Sequence, residues 1–388
     1  MLLVLSQVQT CAHGLIDAWC HSERGEPRKG HYDSSFHASG TGSVRTCHEV
    51  IVGMLPGKVP PEILEKIVYA KLGASDPDVI LGPKLGEDAA VIRIGDKVLI
   101  AATDPITGSI SDVGRLSVIV NANDIAAFGI APRWFLATIL LPVDSTPDHL
   151  QQIMEQIDDT CQNLGIAVAG GHSEITEGID RPIITGFMMG LTDEGKYVTS
   201  SGAKPGDAII VTKTIALEGT LILATEGEEF LANKIPYTTL IHAKNLKSQL
   251  CVVVEGVAAF ETGYVSAMHD PTEGGLSNGL HELCDASNVG FEIYSDAIPI
   301  DDSTFEICTA LDVSPMELIS SGCMIICCRN EHVNEVVNTI RSRGVMPTVI
   351  GQIVEDPKRR ILVTDSDGIP LERPTTDALW DALKKITS

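Results

Sequence analysis

Two successive units of mixed helix and strand, an α+β unit followed by an α/β unit, are what this sequence predicts, on three observations. Helical and strand periods alternate from about residue 60 to residue 355, Gly and Pro punctuate the changes of period, and one polar stretch rich in Gly, Ser and Lys, Asp193 to Pro205, divides the alternation in two. A chain of 388 residues with 44% apolar content is long enough to bury a core in each unit.

Residues 1–53 stand apart. They hold five of the eleven histidines and three of the ten cysteines without a sustained period, and read as a disordered appendage or as upstream sequence translated by mistake, with Met54 a candidate start. A metal-binding His/Cys tail is the sharper alternative, but its spacings match no ligand pattern. The segment is expected to be dispensable for folding.

From Met54 the elements follow in order. Pro60-Pro61 opens a helix carrying Ile63, Leu64, Ile67 and Val68 on one face, and Gly73 closes it. Val91 to Ile94 and Val98 to Ala102 are strands joined at Gly95-Asp96. A helix runs from Val113 to Phe128, capped by Ser111 or Asp112 and stopped by Gly129. Arg133 to Leu141 is a buried strand; Thr146-Pro147 opens a helix lasting to about Asn163; Ile166 to Ala169 and Ile183 to Leu191 complete a unit spanning 54–195. The second unit, 204–355, has strands at Ala208–Val211, Gly290–Ile293, Met324–Cys328 and Thr348–Ile353, with helices near Val252–Glu261, Leu276–Ala286 and Glu331–Arg343. Residues 356–388 read as a C-terminal tail.

Composition excludes some functions. A formal net charge of −24 repels a nucleic-acid backbone, whereas ATP stays compatible, because bound Mg²⁺ and backbone N–H groups reverse the potential locally. No apolar run is long enough to span a membrane, and the opening Met1 to Leu5 lacks the basic flank of a signal peptide. The scattered cysteines form no Cys-x-x-Cys pair, which fits reduced thiols in a cytoplasmic protein; Cys323, Cys327 and Cys328 fall in or beside a buried strand.

Five segments combine an acidic or amide side chain with Gly or Pro at an element edge: Gly86-Glu87-Asp88, Thr103-Asp104-Pro105, Asn123-Asp124 to Gly129, Gly170-Gly171-His172-Ser173-Glu174, and His269-Asp270-Pro271-Thr272-Glu273-Gly274-Gly275. Glycine admits close backbone approach to phosphate, and carboxylates are the hard oxygen ligands that Mg²⁺ prefers. Singly, each segment fits a turn or cap equally well. Asp124 is the odd one, a carboxylate inside an apolar helix, requiring a metal, a charge partner or a structural hydrogen-bond network.

In this order and spacing the five segments resemble the aminoimidazole ribonucleotide synthetase superfamily, over about residues 58–355. The Asn123-Asp124 helix with Pro132 and the Asp270-Pro271-Thr272-x-Gly274-Gly275 loop most resemble its hydrogenase maturation protein E branch. The resemblance implies an N-terminal ATP-binding domain that shares a β-barrel with a second copy in a homodimer, and a C-terminal α/β domain closing over the cleft. It implies ATP and Mg²⁺ as cofactors. Asp88, Asp104, Asp124 and Asp270 would hold the metal, with Glu174 substituting where His172 replaces the usual acid, and Asn123 and the Gly170-Gly171 backbone would lie near the nucleotide. Lys84 either contacts phosphate or is a solvated surface charge. The implied activity is ATP-dependent phosphoryl transfer to an unnamed small-molecule or protein-bound acceptor. The alternatives are a kinase of the thiamine-monophosphate type and a catalytically silent nucleotide-binding maturation partner. Because the chain ends Lys384-Lys385-Ile386-Thr387-Ser388, without the cysteine tail of that branch, it is expected not to carry out that branch's self-modifying dehydration.

Overall fold

A hairpin and a buried helix organise the first half. In a computed structural model, which describes residues 57–107, 112–364 and 367–387, all within the unit Met54–Ser388, strand β1 (Val79–Leu81) leads to β2 (Ala90–Ile94) and β3 (Lys97–Ile106). The expectations for residues 1–53 and for a Ser111 cap lie outside the described residues. Helix α1 (Val113–Ala127) follows, then β4 (Trp134–Leu141), α2 (Pro147–Leu164), β5 (Ala167–Ile175) and β6 (Ile183–Asp193). The sheet order is β1-β2-β3-β6-β4-β5, antiparallel throughout except for the parallel β4–β5 pair. Strand alternation directs Val98 and Ile100, and Phe135, Ala137 and Ile139, into the core shared with α1 and α2. No helix among the described residues covers the other face, and Phe187 is partly exposed.

Every residue of α1 except Arg115 is buried, which explains a helix apolar all round: β3, β6 and α2 lie on one side, and α5 (Val253–Glu261) and β8 (Val265–His269) of the second half on the other. Asp112 makes no side-chain cap bond; it faces Lys247 at 3.4 Å.

The second sheet has the order β13-β12-β9-β11-β7-β10-β8, with β7 (Asp207–Thr212), β9 (Gly290–Tyr294), β10 (Ile325–Arg329), β11 (Pro347–Val354), β12 (Arg360–Thr364) and β13 (Asp367–Pro370). All six residues of β7 are buried, because both faces are covered. On one face pack α3 (Leu217–Glu226), α4 (Tyr237–Asn245), α6 (Gly275–Ser287), α7 (Asp302–Leu311) and α9 (Ala378–Thr387). On the other, α5 and α8 (Val333–Ser342) pack with Ala126 and Ala127 at the end of α1. Cys323, Cys327 and Cys328 are fully buried here, as predicted.

Three differences from the sequence reading have physical causes. The first helix is short: Pro61–Ile63 runs into a π-helical turn, Leu64–Val68, and Ile67 and Val68 are exposed, so no core surface extends it. Gly170-Gly171 is not a loop but the middle of β5, where a Cβ on Gly171 would meet the Ala137 carbonyl oxygen at 2.3 Å; glycine here permits strand pairing. The stretch read as a tail supplies β12, β13 and α9, and β12 extends the second sheet beside β9. The described residues leave the first sheet open at β5, so they do not by themselves close the implied barrel.

Candidate nucleotide and metal site

Four aspartates from four different elements stand near enough to act on one another's ionisation. Asp88 lies in the loop before β2, Asp104 in β3, Asp124 in α1, and Asp270 where β8 gives way to α6. Each is fixed by its surroundings. Gly86, at φ +79°, lets the Asp88 loop run against α6, where a Cβ would come 2.6 Å from the Glu282 carbonyl oxygen. Asn121, one turn before Asp124, accepts from the Asp104 backbone N–H at 2.8 Å and donates to the Asp104 and Ser117 carbonyls at 3.1 and 2.9 Å. The helix thus presents one carboxylate itself and holds the strand carrying another.

The electrostatics show the convergence. Burial, and after it the charges of Asp104, Asp270 and Asp88, hold the Asp124 carboxyl well above the usual range. Burial and Asp88 do the same to Asp270, and burial raises Asp104 while Lys58 opposes it. Asp124 is 5% exposed and Asp270 1%, and both carboxylate oxygens of Asp270 lack a hydrogen-bond partner among the described residues. A buried carboxylate with two idle oxygens suits a hard cation. Among the described residues no three His, Cys, Asp or Glu side chains stand ready to hold an ion by themselves. That also suits Mg²⁺, which is commonly bound by one or two carboxylates together with substrate phosphates.

The structure adds residues that the sequence did not single out. The Lys58 backbone N–H donates to Glu273 Oε2 at 2.6 Å. Although the residue as a whole is exposed, the carboxylates of Glu282, Asp104, Asp88 and Glu273 surround its ammonium and raise its pKa. His269 bridges Asp88 (2.9 Å) and Glu282 (3.0 Å) through its two ring nitrogens. Burial opposes its charging, yet the two carboxylates lift its pKa well above the ordinary value, so it stands as an imidazolium tying the Asp88 loop to α6. Burial works against ionisation of Glu282 too, but Lys58 and His269 hold it down to about 2. The only local signal for any of these was His269 directly before Asp270; Lys58 reaches the site by tertiary folding alone.

Other expected residues sit elsewhere or are occupied. Both ends of the Asn123 amide are used structurally, donating to Leu250 O and accepting from Val252 N–H, each at 2.9 Å. Lys84 is exposed beside Glu87. Glu174 is not among the charges acting on Asp104, Asp124 or Asp270; it lies on the outer edge strand, paired with His172 at 3.0 Å and accepting from Thr176. Gly170 and Gly171 share that exposed edge.

Known proteins resemble this chain in sequence and in fold. The profile described as AIR synthase related protein, N-terminal domain, matches residues 86–192, and that for the C-terminal domain matches 204–364. A provisionally named hydrogenase expression/formation protein of Methanocaldococcus jannaschii is 29% identical over 320 residues, 79% of this chain and 91% of its own. Selenide, water dikinase of Yersinia pestis is 31% identical over 251 residues, 62% of this chain and 68% of its own. Among solved structures, that of a HypE–HypF complex aligns with a TM-score of 0.69 at 20% identity, over 80% of this chain and 99% of the other. Hydrogenase maturation protein HypE in complex with ATP aligns with a TM-score of 0.63 at 18% identity, over 85% and 97%. At those identities the two structures bear on the fold, which they share with this chain.

Proposed function

This chain belongs to the AIR synthase related protein family, and we propose that it is an ATP- and Mg²⁺-dependent phosphoryl-transfer enzyme. The observation that carries this reading is the meeting of Asp88, Asp104, Asp124 and Asp270 from four elements, with two idle buried oxygens on Asp270. In this reading these aspartates hold Mg²⁺ together with the phosphates, and Mg²⁺ supplies neutralisation of charge that develops during transfer. Lys58 supplies a protein cation at the same place, and His269 holds Asp88 in position. Asn123 supports the site through the 250–252 backbone rather than by touching nucleotide. The names of the relatives agree with ATP-dependent chemistry: one is a dikinase, and one structure of similar fold holds ATP. The acceptor is a small molecule or a group carried by a protein partner.

Asp88→Asn and Asp124→Asn test the site, since each removes an anionic oxygen while keeping side-chain shape. Calorimetric titration with Mg·ATP is expected to show affinity at least about tenfold weaker in each, the order of one lost charged contact. Wild-type affinity in both variants would remove the nucleotide from this cleft.

A further inference from the structure

We propose that the cleft contains an acceptor subsite for a small molecule bearing a basic, cationic nitrogen, built on Glu218 with Glu273 and Asp377 as its anionic wall. The proposal rests on the phosphoryl-transfer reading, in which an acceptor has to lie beside the aspartate cluster.

Glu218 is the second residue of α3 and is 9% exposed. Its Oε2 has no hydrogen-bond partner among the described residues, although the Ser321 hydroxyl lies beside the carboxyl. The backbone holds it there at some strain: Ala216 takes the left-handed conformation at φ +60°, its N–H donating to Ser320 Oγ at 2.8 Å, and the Gly219 N–H donates to the Ile319 carbonyl at 3.0 Å. A non-glycine residue in this region costs energy that the surrounding structure has to impose. What the strained turn achieves is to fix one buried carboxyl within the field of Asp377, Glu273 and Asp104.

All three of those neighbours are anionic. The largest influences on Glu218 include no cation, whereas Lys58 acts chiefly on Glu282, Asp104, Asp88 and Glu273. Asp377, 3% exposed, is immobilised by N–H donation from Gly274 at 2.6 Å and from Leu379 at 2.7 Å, so it offers fixed negative charge rather than a free metal ligand. Trp380 follows three residues later with an indole N–H that lacks a partner among the described residues; it borders Gly57 together with Glu273, a Cβ there lying 3.4 Å from the indole nitrogen and 2.6 Å from Glu273 Oε2. An N–H donor beside a carboxylate wall cannot complete a metal shell. It does match an ammonium carried next to a hydroxyl or carbonyl, the ammonium on Glu218 and the oxygen on Trp380. Without such a guest, burial among like charges pushes the Glu218 carboxyl up to about 7 and the Asp377 carboxyl up to about 6.

Three probes of nearly equal size separate the charge classes: ethanolamine, ethylene glycol and glycolate. Binding of each to the full chain is measured by ligand-observed NMR, with and without Mg²⁺ and a non-hydrolysable ATP analogue. Ethanolamine is expected to bind saturably, with the neutral and anionic probes at least about tenfold weaker. Glu218→Gln is expected to weaken ethanolamine about tenfold, Glu218→Asp to retain part of the affinity, and both to keep binding the Mg·ATP analogue. Equal binding of the three probes, preference for glycolate, or unchanged ethanolamine affinity in Glu218→Gln would overturn the proposal. Loss of analogue binding in the wild-type chain with ethanolamine binding intact would sink the phosphoryl-transfer reading and leave the amine site standing.

Discussion

A carboxyl group buried among other carboxyls folds more readily neutral than charged, and Glu218 sets the sign of a measurable effect. Its pKa rises from 4.5 to about 7, first through burial and then through Asp377, Glu273 and Asp104, against the Ser321 hydroxyl. Below pH 4.5 it is protonated in folded and unfolded chains alike, and the shift has no effect. Between pH 4.5 and 7 the unfolded chain ionises while the folded one does not, so stability falls across that window and levels off above it. Glu218→Gln removes this penalty. At pH 8 the variant is expected to gain up to about 3 kcal/mol, and at pH 4.5 almost nothing. Urea unfolding of both proteins at the two pH values measures it, and an equal gain at both would mean that packing rather than charge is responsible. Asp124 could be read this way in advance, because a carboxylate inside an apolar helix announces its own burial. Glu218 could not, since its environment comes from Glu273, Asp377 and Asp104, far apart in sequence.

Helix α1 shows what a period can and cannot reveal about an element. Its extent was legible, since a mostly apolar run from Val113 ends at Gly129 and no proline breaks it. Its partners were not, because a helix buried on every side has no single face pointing at one neighbour. Asn123 marks the side that meets the second half, clamping Leu250 and Val252, while Asn121 holds the strand that carries Asp104. Beneath the clamp, Lys213 donates to the Cys251 carbonyl at 2.8 Å and pairs with buried Glu255 at 2.6 Å, tying the same loop to β7. Asn123→Ala leaves two buried backbone groups without partners, a cost of about 2–5 kcal/mol. The expected outcome is a matching loss in urea unfolding, with Mg·ATP affinity of the folded protein within a few-fold of wild type. Full stability together with lost affinity would return Asn123 to the nucleotide. The strand through Gly170-Gly171 was illegible for the opposite reason: paired glycines signal a loop, and the close approach to Ala137 explains Gly171 in β5.

At the scale of the whole molecule, the two-unit division and the hairpin leading to Asp104 were visible in the sequence, while the order of the strands and the unfinished edge of the first sheet emerge only from the topology. Strand β5 pairs with β4 on one side and has no partner strand on the other among the described residues. All nine of its residues are exposed, Val168 and Ile175 at 44% and 55%. It contains no proline and ends in an apolar residue, so it has few of the devices that keep an edge from pairing. The neighbouring sheet face, bare of helices among the described residues, adds Phe187 at 38% exposure. Pairing with a second copy would satisfy the edge and cover that face, and closed two-fold pairing is the commonest way in which a chain does so. The net charge of −24 on each copy opposes the association, most strongly where salt does not screen it. Light scattering at micromolar concentration is therefore expected to give about twice the 41.4 kDa chain mass, with the dimer loosening at low ionic strength. Ile175→Lys places a charge on the edge and is expected to shift the mass toward the monomer without changing the circular dichroism. A wild-type chain that stays monomeric at moderate salt, or an Ile175→Lys variant that dimerises as well as wild type, would rule out β5 as the joining edge.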